Sequence, residues 1–176
     1  MNKNVFLLTA LVLKLAISTA WGYNEILGLP DEQLVFSFVV DTGQIVSVFI
    51  ADDQSYLVCR WGNPEQLILQ YPQQSELSQS WNLFIYDYYL RPGEAVNAGL
   101  DLNYLYFEDE NNQYMIYQEY SAEGNSNQVG IIVTDLFSHH QQDISGDPLT
   151  VKGSLINLRD YQSLRFPGEV IDIHKQ

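Results

Sequence analysis

The stretch SWNLFIYDYYL (Ser80–Leu90), RPGEAVNAGLDL (Arg91–Leu102), NYLYFED (Asn103–Asp109), ENNQ (Glu110–Gln113), YMIYQEYS (Tyr114–Ser121) decides the fold. It holds most of the chain's 12 tyrosines and reads as three strands with two connections. Successive side chains on a strand point to opposite faces. From Leu83 to Leu90, Phe84, Tyr86, Tyr88 and Leu90 share one face, expected to line a core, while Asp87 lies on the other, facing water. Leu105 and Phe107 alternate with Tyr104, Tyr106 and Glu108. Tyr114, Ile116, Gln118 and Tyr120 alternate with Met115, Tyr117 and Glu119. Glu108–Gln113 lies between two such runs and predicts a hairpin turn. Tyrosine suits a sheet with one dry and one wet face, because its ring packs while its hydroxyl reaches solvent.

The same period extends outward. Leu34–Val40 and Gln44–Ile50 predict strands joined by the turn-rich Asp41-Thr42-Gly43. Tyr56–Trp61 and Glu65–Tyr71 predict two more, and Pro72 ends the second because it has no N–H for a ladder. Gln73–Gln79 reads as a polar loop, Ala122–Asn127 as a turn, Gln128–Leu136 as an apolar strand and His139–Pro148 as a polar link. Leu149–Leu158 reads as a last strand or a short helix, and the tail from Asp160 carries no clear pattern. Roughly 8–9 short strands without a persuasive helical period predict an all-β, mainly antiparallel single domain, a sandwich or a barrel. At 176 residues the chain suffices for one domain with a substantial core.

Residues 1–20 are expected to be a signal peptide. Lys3 supplies a positive start, Val5–Leu13 a short apolar run, and Ser18-Thr19-Ala20 small residues for cleavage, with Ala20-Trp21-Gly22 a second possible cleavage pattern. The run is short for a bilayer span, so no membrane insertion is expected after cleavage. The β-rich domain would then be residues 21–176, with an irregular lead-in over 23–32, in the periplasm or outside the cell. The chain carries a net charge of −14. Loss of Lys3 and Lys14 would leave six basic residues against 22 acidic ones, a balance of −16. Nucleic-acid binding needs clustered Lys and Arg, so that class is excluded, as is an anionic membrane surface. The charge favours a cationic protein partner, or serves solubility alone.

No constellation for catalysis stands out. The Gly-x-Ser-x-Gly elbow is absent. Ser138-His139-His140 reads as a polar loop, and the helical His-x-x-x-His zinc spacing is missing. Glu108–Asn112 gathers oxygen atoms as calcium would want, but lacks the EF-hand spacing and reads as a solvated hairpin tip. Paired carboxylates for glycoside hydrolysis are not recognisable without distances among 22 acids. No phosphate-cradling glycine loop occurs, so neither cofactor nor metal is expected. Cys59, the lone cysteine, shares a strand face with Leu57 and Trp61 and reads as a buried apolar residue, with Arg60 on the opposite face.

The candidate binding surface is the long connection Arg91–Asp101 and its flanks. Such loops are often functional, and tyrosine and arginine are favoured where proteins meet. The residues singled out are Tyr88, Tyr89, Arg91, Asn97, Asp101 and Tyr104. The alternative is a plain connection whose arginine pairs with a nearby acid.

Tyr56-Leu57-Val58-Cys59-Arg60-Trp61-Gly62, Leu67-Ile68-Leu69-Gln70-Tyr71-Pro72, Trp81 with Phe84, Tyr89-Leu90-Arg91, Asn97-Ala98-Gly99-Leu100-Asp101 and Lys152-Gly153-Ser154-Leu155 occur in order along the chain. As a series they resemble a largely uncharacterised family of small exported proteins of Gram-negative bacteria. Cys59 departs from that pattern, which usually has tyrosine there. Related chains often carry cysteines near the positions of Ile50 and Ser145, and their absence here removes any family disulfide. The resemblance implies export and a β-rich domain, and it brings no activity.

These readings converge on a non-enzymatic binding protein, with inhibition of a cationic cell-wall hydrolase such as lysozyme as its sharper form. A glycan-acting enzyme with paired carboxylates and a structural envelope-maintenance protein are the rivals.

Overall fold

The computed structural model describes residues 27–93, 97–161 and 164. The expected signal peptide, the first part of the lead-in (23–26), the middle of the Arg91–Asp101 connection and nearly all of the tail lie outside the described residues. Among the described residues nine strands form one antiparallel sheet: β1 (Glu32–Val40), β2 (Ile45–Ala51), β3 (Leu57–Gly62), β4 (Leu67–Tyr71), β5 (Ile85–Arg91), β6 (Leu100–Asp109), β7 (Asn112–Ser121), β8 (Ser126–Asp135) and β9 (Gln141–Gly153). Their spatial order is β4-β3-β2-β1-β9-β8-β7-β6-β5. The sheet is strongly curled into a half-barrel, all-β as expected and nearer the barrel than the sandwich. The curl brings the inner faces of its two ends together, so that Tyr71 of β4 stacks on Phe107 of β6 at 4.5 Å.

The alternation in the tyrosine-rich stretch selects the face that curls inward. Phe84 and Tyr86, Leu105 and Phe107, Ile116, Val129 and Ile131 join Phe36, Phe38, Val46, Val48, Leu57 and Cys59 in one core. A 3-10 helix, Leu155–Asp160, drops Leu155 and Leu158 into the hollow of the curl and fills it. A smaller apolar cluster forms on the other face of β1–β3, where Leu27 and Leu77 cover Ile45, Phe49 and Val58. Being apolar on both faces, these strands read as nearly continuous hydrophobic runs.

Four expectations are corrected. His139–Pro148 is no link, because from Gln141 it belongs to β9. The first part of β9 pairs with β8 (Gly130↔Ser145) and the remainder with β1 (Val40↔Gly146), so this strand joins the two halves of the sheet. Its side chains are mostly exposed, with only Ile144 and Val151 packed against the core, and ladder hydrogen bonds to both neighbours do most to hold it. Gly146 sits at the corner because the Phe38 ring occupies the place a Cβ would take. Gly153 ends the strand at φ +71°, with the Val35 carbonyl where a Cβ would be. Gln73–Gln79 is not an irregular loop, because Gln74–Leu83 forms a 3-10 helix that buries Leu77 and Ser80, with Ser80 Oγ accepting from Leu57 N at 2.8 Å. The core face of β5 extends only through Phe84 and Tyr86, since Tyr88 and Leu90 are exposed. The expected hairpin is tighter than the acidic run, with only Glu110 and Asn111 between the paired Asp109 and Asn112.

Candidate functional site

Strand register sorts the inner face of β5–β8 into tiers. The lowest, Phe84, Phe107 and Tyr114, is aromatic, with Phe107 stacked on Tyr114 at 4.9 Å. Above it Tyr86, Leu105, Ile116 and Ile131 pair in line. The next tier is Tyr88, Asn103, Gln118 and Val129, and the outermost is Leu90, Asp101, Tyr120 and Asn127. The same alternation that buries hydrocarbon in the lower tiers therefore delivers amides, a carboxylate and a phenol at the mouth of the curl.

Arg159, in the C-terminal 3-10 helix, organises this mouth. Its Nη2 donates to Asp101 Oδ1 and, at 2.8 Å, to Asn103 Oδ1. Its guanidinium lies 4.4 Å over the Tyr88 ring, a cation–π contact. Asn103 is fully used. Its Oδ1 also accepts from the Tyr86 hydroxyl at 2.7 Å, and its Nδ2 donates to Asp101 Oδ1 at 2.8 Å. Burial pushes the Tyr86 hydroxyl up to about 12, against the opposing pull of Arg159. Burial works against the charge on Arg159, but Tyr86 and Asp101 outweigh it and hold its pKa above the ordinary value. Gln118 fastens the helix to the sheet, its Oε1 accepting from Ser154 Oγ at 2.9 Å and Leu155 N at 2.8 Å.

Beside this network lies an open cleft of about 420 Å³. Asp101, Asn103, Gln118, Tyr120 and Asn127 line it on the sheet side, with Val129 beside them. Val151 and Ile156 form an apolar wall, and Pro148 and Leu149 form the rim. The rim is a bulge in β9. Between Ser37 and Val39 the partner residue jumps from Lys152 to Asp147, and Val39 N donates to Thr150 Oγ1 at 2.9 Å. Glu119 also borders the cleft, but its carboxylate accepts from Tyr104 on the outer face of the sheet, at 2.7 Å. The two acids nearest the cleft thus serve opposite faces.

The residues singled out in sequence are divided by this geometry. Tyr88 and Asp101 meet at Arg159. Tyr89 and Tyr104 lie on the outer face. Tyr104 is buried among side chains there, its hydroxyl held far above its ordinary pKa by burial and by the bond to Glu119. Arg91 donates from Nε to Ala98 O at 3.0 Å and so closes its own connection. Asn97 is exposed at the end of that connection. Ser138-His139-His140 is an exposed turn, with Ser138 bonded to Asp135. Cys59 is fully buried, which pushes its thiol up to about 12 and leaves it inert.

Sequence reasoning missed Asn103, Gln118 and Arg159. The first two carried a readable signal, since each interrupts an apolar alternation two residues from a core position on adjacent strands. It also missed the burial of Arg60 on the outer face of β3. Its Nη1 and Nη2 reach both oxygens of Glu32 at 2.5 and 2.9 Å, while its Nε donates to Gln70 Oε1 at 2.9 Å. Among the described residues no three His, Cys, Asp or Glu side chains are placed to hold a metal ion, and no helix is long and apolar enough to cross a membrane. No family model, curated protein or solved structure matches this chain.

Proposed function

We propose that this chain is a non-enzymatic binding protein, exported to the periplasm or beyond, whose partner is a cationic protein docked along the β5 edge. The observation that carries the reading is the state of that edge. β5 is an outer strand of the sheet, in unbroken register with β6 from Ile85 to Arg91. Tyr88, Tyr89 and Leu90 are 43%, 52% and 52% exposed along it. Natural sheets blunt such edges with lysine, proline, bulges or a covering element, because unpaired N–H and C=O groups recruit other chains. β5 contains neither Lys nor Pro and no bulge. An extended segment of a partner can add to it, with tyrosines on either side as anchors. The surplus of carboxylates steers a cationic partner toward the protein.

The sharper form is inhibition of a cationic cell-wall hydrolase. It is tested by titrating lysozymes of several structural types with the protein at low and high salt, reading both complex formation and residual activity. A salt-sensitive complex is expected, weakened about 30-fold or more by Tyr89→Lys, the scale of an interface anchor. Binding unchanged by Tyr89→Lys and Leu90→Lys together would move the interface elsewhere. Absence of a complex with every lysozyme would remove the sharper form. The glycan-hydrolase alternative would need a second carboxylate facing Asp101 across the cleft, where Glu119 turns instead to the outer face.

A further inference from the structure

We infer that the cleft at the mouth of the curled sheet is a binding site for a neutral polyhydroxylated molecule, a short saccharide. It is separate from the β5 edge and does not depend on the protein partner proposed there. Its volume of about 420 Å³ lies within the usual range of small-molecule sites, which favour the mouths of curled sheets.

The lining selects the ligand's chemistry. Asp101 is the carboxylate directed at the inner face, and Arg159 neutralises it. The cleft is therefore close to uncharged inside a strongly acidic protein. A cation would have to displace Arg159 from Asp101, and an anion would meet the remaining carboxylate oxygen. A wholly apolar ligand would strand the amides of the outer tiers without water, at a cost for each. A hydroxyl both donates and accepts, which is what these tiers offer. Gln118 spends its Oε1 on Ser154 and Leu155, and among the described residues no acceptor takes its Nε2 hydrogens. Asp101 spends Oδ1 on Arg159 and Asn103, which leaves Oδ2 as an acceptor. Asn127 adds an exposed amide beside them. Tyr120 contributes a ring, and Val129, Val151 and Ile156 an apolar wall, suited to the C–H face of a sugar. Asn103, with both its oxygen and its nitrogen engaged, holds the polar groups in place before a ligand arrives. Such preorganisation raises affinity by cutting the cost of ordering the site.

The experiment is a titration of the isotope-labelled protein with maltose, cellobiose, trehalose and diacetylchitobiose, followed by amide NMR, with spermidine as the cationic control. At least one saccharide should shift the side-chain amides of Gln118 and Asn127 and the backbone of Val129 and Val151 in a saturable way. Tyr120→Ala and Asn127→Ala should each weaken that binding by about 10-fold, the equivalent of ~1.4 kcal/mol. Neither residue belongs to the Asp101–Arg159 network, and Asn127 is exposed, so at least that variant keeps the fold. Tyr89→Lys, which tests the β5 edge, should leave the saccharide shifts intact. The inference is overturned if no saccharide saturates these resonances, if saturation is unaltered in both variants, or if spermidine occupies the cleft in preference.

Discussion

Two arginine–carboxylate pairs stand on opposite sides of this sheet, and they are built from the same chemistry. Arg60 and Glu32 are sealed, with side chains 2% and 0% exposed. Arg159 and Asp101 are 18% and 19% exposed and border an open cleft. The sealed pair has every partner it needs: Leu29 N, the Tyr56 hydroxyl, Leu27 O, Gln70 and the Phe49 ring surround it. Among the described residues, the open pair leaves Arg159 Nε buried without a partner. A charge pair shut inside apolar packing costs several kcal/mol per ion to desolvate, so its geometry must be complete. A pair at a mouth keeps some water and can leave valences for a ligand. The Arg60–Glu32 pair is thus finished as structure, and the Arg159–Asp101 pair is not.

The largest effect should come from breaking the sealed pair on one side. Arg60→Leu leaves Glu32 charged and enclosed and should cost about 3–5 kcal/mol in urea unfolding. Replacing both residues by leucine should recover much of that loss. A double variant no more stable than Arg60→Leu alone would show that the pair is not the unit. The pH dependence follows from the same contacts. Burial on its own would raise the pKa of Glu32, but Arg60, Leu29 N and Tyr56 hold it below the ordinary 4.5. A carboxylate depressed in the folded state contributes stability above its unfolded pKa and loses it as pH falls through the folded value. Stability should therefore fall below about pH 4.5, and Glu32→Gln should flatten that acid limb.

The open pair should matter less. Asp101→Asn keeps an acceptor for Arg159 and lets solvent share the guanidinium, so about 1 kcal/mol is expected by the same measurement. A loss as large as that of Arg60→Leu would break the contrast between the two pairs. It would also make the mouth a structural element in its own right.

The two halves differed just as much in how far they could be read from sequence. Strands β6 and β7 announced themselves through alternation and β1–β3 as apolar runs between turn residues, because each buries hydrocarbon. Cys59 and Arg60 were correctly assigned to opposite faces of β3, yet nothing in their neighbourhood said that Arg60 would be enclosed. That depends on Leu27, Glu32 and Leu77 arriving from remote parts of the chain. Leu149–Leu158 was read as a last strand or a short helix and holds the end of β9 and the start of the 3-10 helix, whereas Gln141–Pro148 of β9 was invisible because its place is secured mainly by backbone pairing to β1 and β8, and hydrogen bonds between backbones leave no mark on side-chain periodicity. The cleft was half legible. Asp101 and Tyr88 were chosen for their nearness to a long connection, and they do meet. Asn103, Gln118 and Tyr120 become one surface only through the register of β6 and β7, and Arg159 reaches it from a helix beyond the last strand.

The smallest effect sharpens the point about β9. Leu149 is 95% exposed at the tip of the bulge, where burial contributes nothing. The bulge is held by polar contacts instead: Leu149 N donates to Asp147 Oδ1 at 2.9 Å, and Thr150 Oγ1 donates to Asp147 O at 2.7 Å while accepting from Val39 N. Leu149→Ser keeps that backbone and should change stability by no more than about 0.5 kcal/mol, as exposed positions do. Thr150→Val removes the hydroxyl that satisfies Val39 N and should cost about 1 kcal/mol. If the order were reversed in urea unfolding, the exposed leucine would be packing against something in solution, and the bulge would be held by apolar contact after all. The expected order makes β9 a strand kept in place by its backbone, which is why a polar, proline-containing segment can join the two halves of the sheet.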